Sequence, residues 1–211
     1  MLLLMLGIVF GLFAGLARLY YKGLRLEVPD LQGVWLVSIA FLPQGLVFYL
    51  PATRRMVENE LIAIALVSSQ LMLLFFVWFN RKLPGFWVLG LGLLLNFMVI
   101  SLNGGMMPIS PETVERLVPH APPDAWQVGE RLGVSKDIIL PVEQTWLWQL
   151  SDRFLLPDWS PYRVAFSLGD VFIAGGAFWL LWALGQGDPL THRSAYGKQS
   201  RVFADDTRFA T

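Results

Sequence analysis

Cysteine is absent from this chain, and histidine nearly so. Without cysteine there is no disulfide, no thiol nucleophile and no cysteine metal site, and the redox compartment is left open. The two histidines, His120 and His192, stand far apart in polar segments. Neither has the close His/Glu spacing of a zinc motif, so no metal and no cofactor are expected. Charge is scarce too. Only 15% of the 211 residues are charged, against about a quarter in an ordinary soluble domain. Sixteen basic residues balance sixteen acidic ones, which removes the net field that would favour nucleic acid or an acidic partner. There is no internal repeat and no low-complexity tract.

What is present is hydrocarbon. Mean hydropathy is +0.53 and 55% of residues are hydrophobic. The excess is gathered into five runs, about 2–19, 31–50, 61–79, 83–102 and 164–184. Each approaches the ~20 residues a helix needs to cross ~30 Å of hydrocarbon. The expectation is an all-α integral membrane bundle of five transmembrane helices, forming one domain over 1–184, with the lipid bilayer as its surroundings. The third and fourth runs are joined by Asn80-Arg81-Lys82, a tight helical hairpin. Residues 103–162 form an outer loop capped by short helix, and 185–211 read as a polar, disordered tail.

The first run lacks a basic leader and is longer than the apolar core of a usual signal peptide, so a retained helix is expected. Gly7, Gly11 and Gly15 recur every four residues and share one face. That small-xxx-small spacing lets membrane helices approach closely, and offers a surface for other membrane proteins. Orientation follows from lysine and arginine. With five spans, Arg18, Lys22, Arg25, Arg81, Lys82, Arg193, Lys198, Arg201 and Arg208 fall on one side. Arg54 and Arg55 occupy a short loop on the other, and the remaining basic residues lie in the long loop, which counts for little. A plasma membrane with the N-terminus outside and the C-terminus cytoplasmic is the expected setting.

Within the outer segment, Asn103-Gly104-Gly105 ends the fourth helix. Ser110-Pro111-Glu112 reads as cap, first-turn proline and dipole-matched acid, predicting a short helix to about Val118. Residues 143–154 carry Trp146, Trp148 and Phe154 among polar neighbours and predict a helix lying at the interface.

A few polar groups interrupt the apolar runs. Asp170 is the only acid in the last of them, and a carboxylate in hydrocarbon is retained for a partner, a proton or a reaction. Counting ~1.5 Å per residue, Asp170 lies roughly 10 Å inside a helix that starts near Arg163, and Asn96 about as far inside the fourth from Asn103. The two therefore reach one level. Gln44 beside Pro43, the Ser68-Ser69-Gln70 run and Ser167 are placed to join them. Such groups either glue the bundle by hydrogen bonds or form a site. Asp152 is the second acid of interest, in Gln149-Leu150-Ser151-Asp152-Arg153. It either pairs with Arg153 or Arg163, or folds over the last helix toward Asp170. Two close carboxylates share a proton, and one can then activate water, as in aspartic proteases.

Three blocks carry a family resemblance: Asn103-Gly104-Gly105-Met106-Met107-Pro108, Thr145-Trp146-Leu147-Trp148-Gln149-Leu150-Ser151-Asp152 and Phe166-Ser167-Leu168-Gly169-Asp170. Together they resemble an uncharacterised bacterial family, a domain of unknown function found in small five-span membrane proteins. Its members often carry a Lys-His pair before the threonine block, where this chain has Lys136-Asp137. Over the last third the chain also resembles lipoprotein signal peptidases, which are membrane aspartyl proteases. That resemblance implies catalytic roles for Asp152, with Arg153 beside it, and Asp170. Gln149, Ser167 and Gly169 depart from the asparagines and alanine of the peptidase blocks.

Three functions follow as alternatives: a scaffold or complex subunit using the glycine face of the first helix, a membrane hydrolase using Asp152 and Asp170, or a proton-coupled carrier titrating Asp170.

Overall fold

The structure is a computed structural model that describes residues 2–48, 58–122 and 125–185. Arg54, Arg55, the last two residues of the second apolar run and the tail after Gly185 lie outside the described residues. The fold is mostly helical. Five apolar helices occupy the five apolar runs: α1 (Leu2–Lys22), α2 (Val34–Phe48), α3 (Asn59–Phe79), α4 (Phe86–Leu102) and α6 (Leu168–Trp182), with a short polar helix α5 (Pro111–Leu117) between the last two. α1 and α3 are long and apolar enough to cross a membrane, and α2, α4 and α6 are shorter apolar helices.

Neighbours in the bundle run α1, α6, α4, α3, α2. Glycine decides the tightest of these contacts. Along α1 and α6, Gly7 meets the Ala174 carbonyl, Gly11 meets Phe178 and Gly15 meets the Leu181 carbonyl, so the two helices run parallel. A Cβ on Gly11 would stand 2.8 Å from the Phe178 backbone, closer than a side chain can sit. The glycine face expected to receive another membrane protein is filled by α6 of the same chain. α4 crosses α6 the other way, with Gly85 against Gly176 and Gly92 against Gly169. Both pairs are seven residues apart on each helix, two full turns, which keeps them on one face. α6 is thus clasped on two sides through backbone contact.

The turn between α3 and α4 is fixed by Asn80. Its amide donates to the Gln32 carbonyl and accepts from the Gln32 N–H, both at 2.8 Å. Asn103 does the same at the other end of α4, exchanging two 2.9 Å bonds with the backbone of Trp146.

The outer segment departs from the all-α expectation. β1 (Met107–Ile109) pairs in parallel with β2 (Asp137–Ile139), and β3 (Phe154–Leu155) pairs antiparallel with β4 (Ala165–Phe166). Ile109, Val114 and Ile139 form a buried cluster with Trp126 and Leu132 packed around it. Ser110 caps α5, accepting from the Thr113 N–H at 3.3 Å, as the sequence predicts. The interfacial helix expected over 143–154 does not form. Two 3-10 turns, Val142–Gln144 and Trp148–Leu150, stand there instead, with Leu147 between them in the left-handed region at φ 54°. The cause is local competition for backbone groups. Asn103 holds Trp146, and the Asp152 N–H donates to the Pro108 carbonyl at 3.1 Å. The last helix also starts later than expected, at Leu168, because 165–166 are spent on β4.

Candidate functional site

The site begins at the first turn of α6. Ser167 is its N-cap and Asp170 its third residue, and they form a reciprocal capping box. The Ser167 hydroxyl accepts from the Asp170 N–H at 3.1 Å, and Asp170 Oδ2 accepts from the Ser167 N–H at 3.2 Å. The expected depth of Asp170, some 10 Å inside its helix, is therefore corrected to the first turn. Asn96 of α4 completes the unit. It donates to Asp170 Oδ1 at 3.0 Å and accepts from the Ser167 hydroxyl at 2.9 Å. Asn96 and Ser167 are buried and Asp170 half-buried.

A second polar group comes from the outer segment. Lys136 precedes β2, whose pairing to β1 carries it over the mouth of the bundle. Its ammonium lies 2.7 Å from Asp152 Oδ2 and 3.4 Å from Asp137 Oδ1. Asp152 therefore pairs with neither Arg153 nor Arg163. The Arg153 guanidinium stacks 4.4 Å from the Trp148 ring centre, and Arg163 donates to the Arg116 carbonyl. Asp152 is 2% exposed, and its Oδ1 accepts no hydrogen bond among the described residues. Burial pushes its carboxyl up to about 7, with Lys136 pulling the other way. Burial alone would discharge Lys136, but the carboxylates of Asp152, Asp137 and Asp170 outweigh it and raise the ammonium's pKa.

Between these groups lies a cavity of about 400 Å³. Its wall takes residues from all five apolar helices and from the outer segment. Most of that wall is apolar, including Phe41, Leu66, Leu73 and Ile173; the polar exceptions include Gln44 of α2, Gln70 of α3, Asn96, Lys136 and Asp170. Gln70 Oε1 is buried and makes no hydrogen bond among the described residues. About a third of the Lys136 side chain surface, 36%, remains open.

The structure thus brings Asn96, Ser167 and Asp170 into one hydrogen-bonded unit and places Gln44 on the same cavity. It puts Asn103 elsewhere, on the backbone of Trp146, and spends Gly7, Gly11 and Gly15 on α6. Asp152 stands behind Lys136. The lysine, not this acid, lines the cavity. Lys136 is the functional candidate that sequence reasoning passed over, and its signal is its place in the Lys136-Asp137 pair, where the family resemblance has Lys-His.

In class, then, this is an apolar helical bundle with a polar-studded cavity bordered by the small segment between α4 and α6. Residues 29–182 match the family described as "Family of unknown function (DUF5317)", and the chain belongs to that family. All three signature blocks fall inside the match, and all of α1 lies outside it. An uncharacterised protein of Thermotoga maritima is 28% identical over 118 residues, which are 53% of this chain and 58% of that protein. The chain thus matches less than two thirds of that relative's length. No solved structure matches.

Proposed function

We propose that this chain is a five-span protein of the bacterial plasma membrane, N-terminus outside, whose central cavity binds a small, largely apolar molecule through a donor-rich polar end such as an amine. The membrane reading is supported by where the apolar surface lies. The most apolar windows of α1 and α3 are only 17% and 22% buried, whereas the core helix of a soluble protein would be mostly covered. Phe10, Phe13, Phe75 and Trp87 are each more than half exposed, which water penalises and lipid does not. α6 alone, 15 residues or about 22 Å, is short of the hydrocarbon core. The extended residues before it add roughly 13 Å. Non-helical backbone at that depth is tolerated where it lines a cavity, and Val164, Ala165 and Phe166 do so. Sidedness draws support from the packing. α1 runs parallel to α6 and α4 runs against it, which gathers Arg18, Lys22, Arg81 and Lys82 at one end.

The observation that carries the ligand reading is the surplus of acceptors. Gln70 Oε1 has no partner among the described residues, and each oxygen of Asp170 has accepted one bond and retains a lone pair. On the donor side, the Lys136 ammonium is shared with two carboxylates. A guest that donates two or three hydrogen bonds and buries a short hydrocarbon body fits this balance. The aspartyl hydrolase alternative has less support. A dyad needs two carboxyls sharing one proton, and here Asp152 is engaged by Lys136 while Asp170 is engaged by Asn96 and Ser167. The test uses protein in mild detergent and three probes of equal chain length: hexylammonium, hexanol and hexanoate. Hexylammonium raises Tm most and hexanoate least, and the difference disappears in Gln70→Leu. Equal shifts from all three probes, or none, refute the ligand reading.

A further inference from the structure

A second concavity lies on the outside of the bundle, between α3 and α4, with a volume of about 500 Å³. Its walls repeat at helical spacing on both sides. Leu71, Phe75 and Trp78 come from α3, and Trp87, Leu91 and Leu94 from α4. All six are at least 40% exposed, so these apolar side chains line the groove without closing it. Gly90 and Val77 form the floor, where the two helices approach closely. A Cβ on Gly90 would stand 2.7 Å from Val77 Cγ1, so any larger residue there would push against α3 and reshape the groove.

The groove has one charged end. Arg81, in the turn after α3, lines it, and its guanidinium carbon lies over Trp78 at 4.0 Å from the ring centre. It donates to the Trp78 carbonyl at 3.3 Å. No ion pair joins Arg81 or the exposed Lys82 to a carboxylate among the described residues. From Arg81 to Leu71 is ten residues, about 15 Å of helix. That is half of the ~30 Å hydrocarbon core, the length of one leaflet's acyl region. Trp78 and Trp87 flank the charged end, at the level where tryptophan meets lipid headgroups.

We infer that this groove is a site for an anionic phospholipid, one acyl chain lying between α3 and α4 and the phosphate resting on Arg81. The proposal rests on the membrane reading given above, and places the headgroup on the cytoplasmic side, where anionic lipid and basic residues meet. The fit is one of charge and length together. A neutral hydrocarbon would not account for a guanidinium at one end that has no carboxylate partner among the described residues. A free phosphate ion would not account for fifteen ångströms of apolar wall.

The test is native mass spectrometry of the detergent-purified, delipidated full chain. Phosphatidylglycerol and phosphatidylcholine with identical acyl chains are added at equal concentration. Phosphatidylglycerol adducts are expected to form about fivefold more tightly, the ratio one basic residue confers near an anionic group. Arg81→Gln abolishes that preference and leaves phosphatidylcholine binding in place. Gly90→Leu lowers adducts of both lipids. Trp87→Ala, at a more exposed wall position, also lowers both, and serves where Gly90→Leu does not fold. A preference that survives Arg81→Gln overturns the site, as does adduct formation unchanged in Gly90→Leu or, where that variant does not fold, in Trp87→Ala. Failure of the underlying reading looks different: the chain would stay monodisperse in buffer without detergent.

Discussion

Lys136 Nζ stands 2.7 Å from Asp152 Oδ2, and this contact ties the strand before the cavity mouth to the segment that follows the tryptophan turns. Asp152 is the more buried partner, at 2% exposure against 36% for the lysine. Removing the lysine strands the acid. Lys136→Met should therefore cost about 3 kcal/mol near pH 8, the scale for breaking a buried pair from one side. The cost depends on pH with a definite sign. Burial raises the folded-state pKa of Asp152 to about 7, above its unfolded value near 3.8. A raised acid contributes stability below its unfolded pKa and loses it as pH climbs through the folded one. The wild type should thus lose stability between about pH 4 and pH 7 relative to Asp152→Asn. Lys136→Met should lose more, because nothing then opposes the burial. Thermal melts in detergent from pH 4 to pH 9 read all three; parallel profiles would contradict the assignment.

Neighbouring glycines in α6 give an internal control. A Cβ on Gly176 would collide with the Leu89 backbone N–H and approach the Gly85 carbonyl to 2.7 Å, whereas one on Gly175 meets nothing within 4 Å. Gly175→Ala should be neutral or stabilising by up to about 1 kcal/mol, the gain in helix propensity. Gly176→Ala should destabilise by about 1–3 kcal/mol, the range for overpacking. Melting temperatures of the two variants, differing by one position, must separate, with Gly176→Ala below the wild type and Gly175→Ala at or above it.

Much of this architecture is legible before any coordinates. The five apolar runs become five helices because each is long and uncharged over most of its length, and the turn residues Gly33 and Pro84-Gly85 fall at the run ends, where they set where α2 and α4 begin. The cap at Ser110 is legible because its chemistry is local. Counting from helix ends puts Asn96 and Asp170 at one level, although the last helix starts at Leu168 and not near Arg163. What was not legible is non-local. The parallel pairing of Met107 with Asp137 joins residues thirty apart through strands too short to show a period. Lys136 owes its place to that pairing, and so does the burial of Asp152. The seven-residue glycine spacing at 85/92 and 169/176 was visible in the chain, but only the antiparallel crossing makes it meaningful.

Ser167 supports two structures at once. Its hydroxyl accepts from the Asp170 N–H and donates to Asn96 Oδ1. Ser167→Ala removes the cap, worth about 1 kcal/mol, and leaves a buried Asn96 oxygen unpaired, worth about as much again. A loss near 2 kcal/mol is expected, with most of it restored by Ser167→Thr, which keeps the hydroxyl. A denaturant or thermal series on the pair decides this, since a role in packing alone would make threonine the worse substitution.

Gln70 should behave as a residue kept at a cost to stability. Its Oε1 is buried without a partner among the described residues, and an unsatisfied buried acceptor costs about 1–3 kcal/mol. Gln70→Leu should raise Tm while weakening the response to hexylammonium. A stabilised variant with unchanged response would separate Gln70 from the ligand, and a destabilised one would mean the amide is already satisfied.

The absence of cysteine makes sidedness directly measurable. Any thiol introduced is the only one in the chain. Glu115 on α5 and Lys82 after α3 are both exposed and lie in segments that the five-span reading puts on opposite sides of the bilayer. In intact cells a membrane-impermeant maleimide should label Glu115→Cys and leave Lys82→Cys untouched until the membrane is permeabilised. Labelling at both positions without permeabilisation would break the hairpin formed by α3 and α4 as a pair of spans. Labelling of Lys82→Cys alone would invert the orientation, and would place the Lys136–Asp152 pair and the cavity mouth on the cytoplasmic face.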